Sequence, residues 1–444
     1  MRIMIVGAGQ VGCFLCEKLS IEGQEVVLID RDESKLRRIE QELNIMTVHG
    51  SGASAKVLEE AGIDKTDLFI AVTDSDEVNL VACIMSKQFE VKTRIARVRN
   101  EDFYHQGKAL TKKTLGIDLL ISPDLAMAEE IFQLSTRSSA FEVAEFADGQ
   151  VVLAGYVLHE GNKTVGRSLQ DMHDFPGVMV SIVRGDNTII PRGNDVIQAE
   201  DKVYLVARKE DSRAVESFLN IASRQVRRVF IIGGGTIGYL VARRMEQNRM
   251  GVRVVEKDLE RCKFLTQHLE NSVVLNCDGL DSHALMDEGI DRADLVVAVT
   301  NTDTKNILTS LMAKHYGAKK CITHLKKADF IPMLDELGID MALSPRLVAA
   351  NMILQFVRAG GTTVSVATLM GSNAEVVELK VPDKKRFKDV PLKSLHFPKG
   401  AIVGAIVREE KVIIPKGDTI LKVNDNLVIF FSRDALPAVE EFFE

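Results

Sequence analysis

The sequence predicts an α/β protein of two tandem units, each a parallel-sheet N-lobe followed by a small α+β C-lobe. Three observations carry this. A glycine-rich turn occurs twice, at Gly7 and again at Gly233. After each turn, short β-rich runs alternate with amphipathic helical stretches, the pattern of parallel βαβ units. Each unit then switches to short strands broken by tight turns, which signals a second kind of lobe.

Length and composition bound the possibilities. At about 150 residues per domain, 444 residues suit two to four domains. With 56 basic and 63 acidic residues, the net charge is −7, which excludes a generalised nucleic-acid binder with its basic footprint. Hydrophobic residues reach 46% and charged ones 27%, an ordinary soluble balance. The longest apolar stretches, such as Phe230–Ala242, are interrupted by Gly and Thr and fall short of the roughly 18 residues of a membrane span. Met1-Arg2-Ile3-Met4-Ile5-Val6 runs straight into a glycine turn, so it reads as a first strand rather than a signal peptide. The expectation is a cytosolic protein whose membrane role comes through a partner.

Metal and thiol chemistry find little support. Cys13 and Cys16 have C-x-x-C spacing without a second pair, and the nine histidines form no H-x-x-x-H or H-E-x-x-H arrangement. Two small residues on a helix is the plainer reading of the cysteine pair.

The tandem repeat fixes the organisation. Gly7-Ala8-Gly9-Gln10-Val11-Gly12 is matched by Gly233-Gly234-Gly235-Thr236-Ile237-Gly238, and Asp30 by Glu256. Val11, Phe14, Leu15 and Leu19 return as Ile237, Leu240, Val241 and Met245, one apolar helical stripe in both copies. Gly62–Thr73 aligns with Gly289–Thr300, and Leu115–Pro123 with Leu337–Pro345. Ile189–Gly193 aligns with Ile413–Gly417. The first N-lobe should hold strands at Ile3–Val6, Glu25–Ile29, Ile45–Val48, Leu68–Val72, Arg94–Val98 and Leu119–Ile121. The first C-lobe should hold Val151–Leu158, Val178–Val183, Thr188–Ile190, Val203–Val206 and a helical tail at Ser212–Asn220. Breaks are placed at Ser135–Ser139 and near Gly360–Thr363, giving lobes 1–137, 138–225, 226–360 and 361–444.

Each glycine turn sits between a strand and a helix, the context that gives G-x-G-x-x-G its Rossmann-like meaning. The first Gly makes the turn, the second admits a pyrophosphate close to the backbone, and the third lets the helix pack on the sheet. The helix start presents free N–H groups to phosphate. Asp30 and Glu256 each lie 23 residues after the first Gly of their motif, where a carboxylate accepts hydrogen bonds from ribose hydroxyls. That favours NAD over NADP but leaves NAD(H), ATP and ADP undistinguished.

Further candidates follow from the rule that ligands lie at the carboxyl ends of parallel strands. These are His49–Gly52 and Asn276–Gly279, then Thr73-Asp74 and Thr300-Asn301. Arg97, at the end of the fifth strand, suits a phosphate fork or, alternatively, a surface ion pair. The second copy has Thr323-His324 there, so the two sites should differ.

The duplicated order of these motifs, with Ala71-Val72-Thr73-Asp74 and Ile121-Ser122-Pro123, resembles the TrkA family of potassium-transport regulators over nearly the whole chain. The resemblance implies two RCK (or KTN) units per chain, no enzymatic activity, and a homo-oligomeric ring. That ring would lie at the inner face of the cell membrane, on a Trk-type potassium-translocating subunit. It implies NAD(H) or ATP/ADP as regulatory ligands. By motif match, Gly7, Ala8, Gly9, Gln10, Val11, Asp30, Thr73, Asp74 and Arg97 would line the first site. Gly233, Gly234, Gly235, Thr236, Ile237 and Glu256, with Asp278 and Thr300, would line the second. Hinge and dimer helices would follow Ser122-Pro123 and Ser344-Pro345.

Two other readings compete. An NAD-dependent oxidoreductase needs an acid–base group beside the nicotinamide. The shared polar residues of the C-lobes, Arg184/Arg408 and Asp201/Asp425, make no such constellation, and His159 has no counterpart. A nucleotide-responsive scaffold without a membrane partner is the third reading.

Overall fold

The computed structural model describes residues 1–100, 115–136, 140–147, 149–172, 174–185, 187–221, 226–327, 330, 334, 337–358, 363–368, 374–387, 390–409 and 411–443. The expected breaks at 135–139 and 360–363 lie partly outside them.

The first N-lobe forms β1 (Arg2–Val6), α1 (Gln10–Ile21), β2 (Glu25–Asp30), α2 (Glu33–Glu42), β3 (Met46–His49), α3 (Ala55–Glu60), β4 (Leu68–Ala71), α4 (Asp76–Gln88), β5 (Thr93–Arg97), β6 (Leu119–Ile121) and α5 (Pro123–Thr136). Its strands pair in parallel in the order β3-β2-β1-β4-β5-β6. β1 and β4 are buried on both faces, which is why they read as unbroken apolar runs. The chain order reverses between β1 and β4, and a topological switch point of this kind opens a crevice at the strands' carboxyl ends.

The first C-lobe follows with β7 (Glu142–Phe146), β8 (Val151–Leu158), β9 (Val178–Arg184), β10 (Asn187–Ile189), β11 (Asp201–Arg208) and α6 (Ser212–Phe218). Its sheet is antiparallel, in the order β10-β9-β11-β8-β7. The sequence reading overlooked β7. Its two glutamates disguise an edge strand, and Glu142 is nonetheless buried, hydrogen-bonded to the Tyr204 hydroxyl.

The second copy repeats the plan. Its N-lobe holds β12 (Arg228–Ile232), α7 (Thr236–Gln247), β13 (Gly251–Glu256), α8 (Leu259–His268), β14 (Val273–Asn276), α9 (Ser282–Asp287), β15 (Leu295–Ala298), α10 (Asp303–Tyr316), β16 (Cys321–His324), β17 (Met341–Leu343) and α11 (Pro345–Arg358). Its C-lobe holds β18 (Thr363–Thr368), β19 (Ala374–Lys380), β20 (Ala401–Arg408), β21 (Lys411–Ile413), β22 (Asn426–Ser432) and α12 (Leu436–Phe443). The sheet orders, β14-β13-β12-β15-β16-β17 and β18-β19-β22-β20-β21, mirror those of the first copy.

The chain packs by kind rather than by copy. One compact unit joins both N-lobes (Met1–Glu130 with Arg228–Ile353), and the other joins both C-lobes. Within the C-lobe unit one core cluster spans both C-lobes, from Val151, Leu153 and Tyr204 to Val376, Val428 and Phe430. Within the N-lobe unit, Arg244 of α7 pairs with Glu129 of α5 at 3.1 Å. The two glycine turns therefore share one body. None of the described helices is long and apolar enough to cross a membrane.

Candidate functional site

The first glycine turn links β1 to α1. Gly7 takes φ +113°, and a Cβ there would lie 2.9 Å from the Thr73 nitrogen. A Cβ on Gly12 would stand 1.9 Å from the Gly7 carbonyl oxygen, so the third glycine lets α1 cross the turn. The space beside Gly9 is open, and as N-cap it brings no side chain to the first N–H groups of α1. Those groups, with the positive end of the helix dipole, make an anion seat.

Asp30 closes the other wall. Its Oδ2 accepts the Ala8 N–H at 2.5 Å and its Oδ1 the Asp32 N–H at 2.8 Å. Each carboxylate oxygen keeps a second lone pair, so Asp30 can brace the turn and still accept a ribose hydroxyl. Thr73 is held by Asn79, a fully buried residue of α4. The Asn79 Oδ1 accepts from the Thr73 N–H (2.9 Å) and hydroxyl (2.7 Å), and its Nδ2 donates to the Arg97 carbonyl at 2.8 Å. One side chain thus pins the ends of β4 and β5. A cleft of about 230 Å³ results, with Gly7, Gly9, Asp30, Thr73 and Val78 among its walls.

Arg97 ends β5, as expected. Its side chain is mostly buried, burial pulls its pKa down with help from nearby Arg99, and its Nε has no partner among the described residues. Among the described residues it meets Asp74 at 3.4 Å, a side chain 86% exposed and so a weak pair, and the Asp124 carboxylate also acts on its charge.

The second turn repeats the backbone and alters the surroundings. Gly233 has φ +111°, Gly238 again lies under the carbonyl of the first glycine, and Gly235 faces open space ahead of Thr236 and Ile237. Glu256 braces this turn as Asp30 does, accepting from Gly234 at 2.8 Å and Asp258 at 2.9 Å. Thr300 is pinned by buried Asn306, which also donates to the His324 carbonyl at 2.9 Å. Here, however, Arg261 donates from Nε to the Gly234 carbonyl at 2.6 Å and lies over the Phe264 ring. The equivalent first-lobe residue is Lys35. Asp278 pairs with Lys305 at 2.8 Å, and the Lys305 ammonium holds its carboxyl below the usual range. Lys305 stands where the first lobe has Val78, so the second lobe's own side chains occupy ground left open in the first.

The sequence shows no arginine at the end of β16, but α11 supplies one. Arg346 lies 5.9 Å from the centre of the Phe14 ring on α1. A cavity of about 1410 Å³ between the N-lobes gathers Gly9, Gln10, Arg97, Thr236, His324 and Arg346.

Other candidates resolve as structural parts. Arg184 makes a bidentate pair with fully buried Asp201 (2.8 Å), and Arg408 the same with Asp425 (2.7–2.8 Å). Cys13 and Cys16 lie on α1, where burial raises both thiol pKa values, against a reactive thiolate. Asn79, Asn306, Arg261, Lys305 and Arg346 escaped the sequence reading. For the asparagines a signal existed: each follows its threonine by six residues in both copies.

The comparisons agree with this architecture. Residues 3–123 and 229–345 match the TrkA-N domain, and residues 153–220 and 376–444 the TrkA-C domain. Trk system potassium uptake protein TrkA homolog 1 of Methanosarcina mazei is 37% identical, with both chains covered in full. TrkA of Halomonas elongata is 35% identical over all of this chain and 99% of its own. Among solved structures, a GsuK channel bound to NAD superposes with TM-score 0.64 at 19% identity, over 100% of this chain and 78% of its own. The GsuK RCK domain gives 0.63 at 19%, over 100% and 94%. With the doubled lobes, the braced glycine turns and these matches together, the chain belongs to the TrkA family of Trk potassium uptake proteins.

Proposed function

We propose that this chain is a cytosolic, nucleotide-sensing regulatory subunit that gates a Trk-type potassium-translocating membrane protein. The observation that carries the reading is the pair of braced glycine turns within one compact body. Each combines an open second glycine, a helix N-terminus and a carboxylate. The first site is the principal one, since Lys305 and Arg261 crowd the second. NAD(H) or ATP/ADP fits the donor set, in keeping with GsuK neighbours bound to NAD and to ADP.

The physical logic is a population shift: a nucleotide moves a gate by no more than its differential affinity for the two arrangements. A shift from mostly closed to mostly open takes about 5.5 kcal/mol, which several sites can supply in portions of about 1–3 kcal/mol each. An assembly of several copies on the membrane subunit would sum them, and family membership supports that arrangement.

Calorimetric titration of the purified chain with NAD+, NADH, ADP and ATP tests the reading, with NADH turnover followed in parallel. Saturable binding without turnover, and co-purification with the membrane subunit, are expected. Steady NADH consumption would replace the sensor with an oxidoreductase, and no binding at all would end the nucleotide reading.

A further inference from the structure

We propose that the second N-lobe carries a carboxylate-binding site at the amino ends of β12 and β13, the far end of the strands from its glycine turn. A carboxylate from outside the chain takes there the place that Glu25 holds in the first copy. The proposal stands apart from the nucleotide reading.

The two copies treat one arginine differently. In the first, Arg2 opens β1 opposite Glu25 of β2. The two side chains pair at 2.7 Å, and Arg2 also donates to the Ala61 carbonyl at 3.3 Å. Its guanidinium lies against Gly62, where a Cβ would stand 2.9 Å from Nη2. Arg2 is thereby tucked in and neutralised. In the second copy Arg228 opens β12 in the same register, but its neighbour on β13 is Gly251. The arginine is kept and its carboxylate is gone. The Arg228 main-chain N–H reaches Asp294 at 3.0 Å, while its guanidinium has no partner among the described residues.

A cavity stands where the pair would be. It measures about 280 Å³ and has Arg228, Arg253 and Arg292 in its walls. A Cβ on Gly289, the match of Gly62, would meet only the Asp291 Oδ1, at 3.9 Å, so no guanidinium fills that space. Strand alternation puts Arg228, Phe230, Gly251 and Arg253 on one face of the sheet. Two guanidiniums therefore flank the gap that Gly251 leaves. Arg253 replaces Val27; it lies 5.7 Å from the centre of the Phe230 ring and meets Glu288 at 3.4 Å. With Asp287 and Glu288, the walls hold three cations against two anions. One net positive charge suits a monoanion better than a dianion, and Phe230 and Met286 offer its stem an apolar rest. A guanidinium takes a carboxylate through two parallel N–H···O bonds, as the lone Arg228 is free to do.

The test is ligand-observed NMR on the full chain with three probes. These are butyrate, the acetylated amide of glutamate, which keeps only its side-chain carboxylate, and that of glutamine, which has none. Both carboxylates should bind saturably, and the glutamine probe should not. Arg228→Gln should weaken binding about tenfold, the usual range for a lost charge-assisted hydrogen bond. Gly251→Glu, which installs the first copy's own carboxylate, should abolish binding, and thermal melting no lower than that of wild type would show that both variants fold. Tighter binding of the glutamate probe assigns the carboxylate to an acidic side chain of a partner protein, and tighter binding of butyrate to a free small acid; both support the site. Equal binding of the glutamate and glutamine probes, binding untouched by either substitution, or no binding of any probe would overturn it.

Discussion

The two N-lobes share a backbone plan and differ in what lies at its edge. The first leaves a cleft beside Gly9 and Asp30, with Val78 on its wall. The second places Arg261 on the Gly234 carbonyl and Lys305 on Asp278. Duplication preserved what the turn needs to fold, namely three glycines, one carboxylate and one buried asparagine. The charged side chains around it were free to diverge. The lesson is that the motif fixes the turn, and the neighbouring loops decide whether the turn is available.

The largest effect should separate folding from binding within a single motif. Gly12→Ala or Gly238→Ala drives a Cβ to 1.9 Å from a carbonyl oxygen and should destabilise its lobe by about 3 kcal/mol or more. Gly9→Ala meets nothing within 4 Å, so stability should stay within about 0.5 kcal/mol while nucleotide affinity falls at least about tenfold. Denaturant melts read the first pair and calorimetry the second. If Gly9→Ala binds as wild type does, the second glycine is not an approach point.

A second contrast lies beneath the sheets. Lys320, aligned with Thr93 at the start of β5, is buried, and desolvation lowers its pKa to about 8 despite Asp340. Below pH 8 the ammonium is charged in both folded and unfolded chains, and its burial cost is fully present. From pH 8 towards the ordinary lysine value the folded state sheds the proton first, so stability should rise. Lys320→Met should add about 2 kcal/mol at pH 7 and flatten that rise. Melts at pH 7 and 10 showing the same difference between variant and wild type would contradict the assignment.

Asn79→Ala should cost about 2 kcal/mol by stranding the Thr73 N–H and the Arg97 carbonyl, and Asn306→Ala a similar amount, because the two networks are equivalent. Unequal losses would show that the lobes differ in their scaffold as well as in their edges. The smallest effect is expected of Lys305→Val, which installs the first-lobe residue. The surface pair is worth about 0–1 kcal/mol, so melting should hardly move, while a weak second class of nucleotide sites should tighten several-fold in calorimetry.

Most of the fold was legible in the sequence because the parallel strands are buried on both faces and read as apolar runs. The N-lobe strands fall within a residue of their expected ends, as at Glu25–Asp30 and Leu68–Ala71. β7 escaped because its Glu-Val-Ala-Glu-Phe run alternates weakly and buries a glutamate, which only the distant Tyr204 explains. The glycine turns were legible because a backbone constraint leaves a fixed spacing. Arg346, Arg261 and Lys305 were not: each acts across a gap that tertiary packing alone closes. Residue type and spacing give no hint that Arg346 of α11 lies over the Phe14 ring of α1.

The inequality of the two glycine sites is tested most directly by titrating ADP into the full chain carrying Asp30→Ala, then Glu256→Ala. Removing Asp30 should abolish the tighter class of sites, with affinity falling at least about tenfold. Removing Glu256 should leave that class within about twofold of wild type. Equal losses from the two substitutions, or tight binding that survives Asp30→Ala and disappears with Glu256→Ala, would contradict the account.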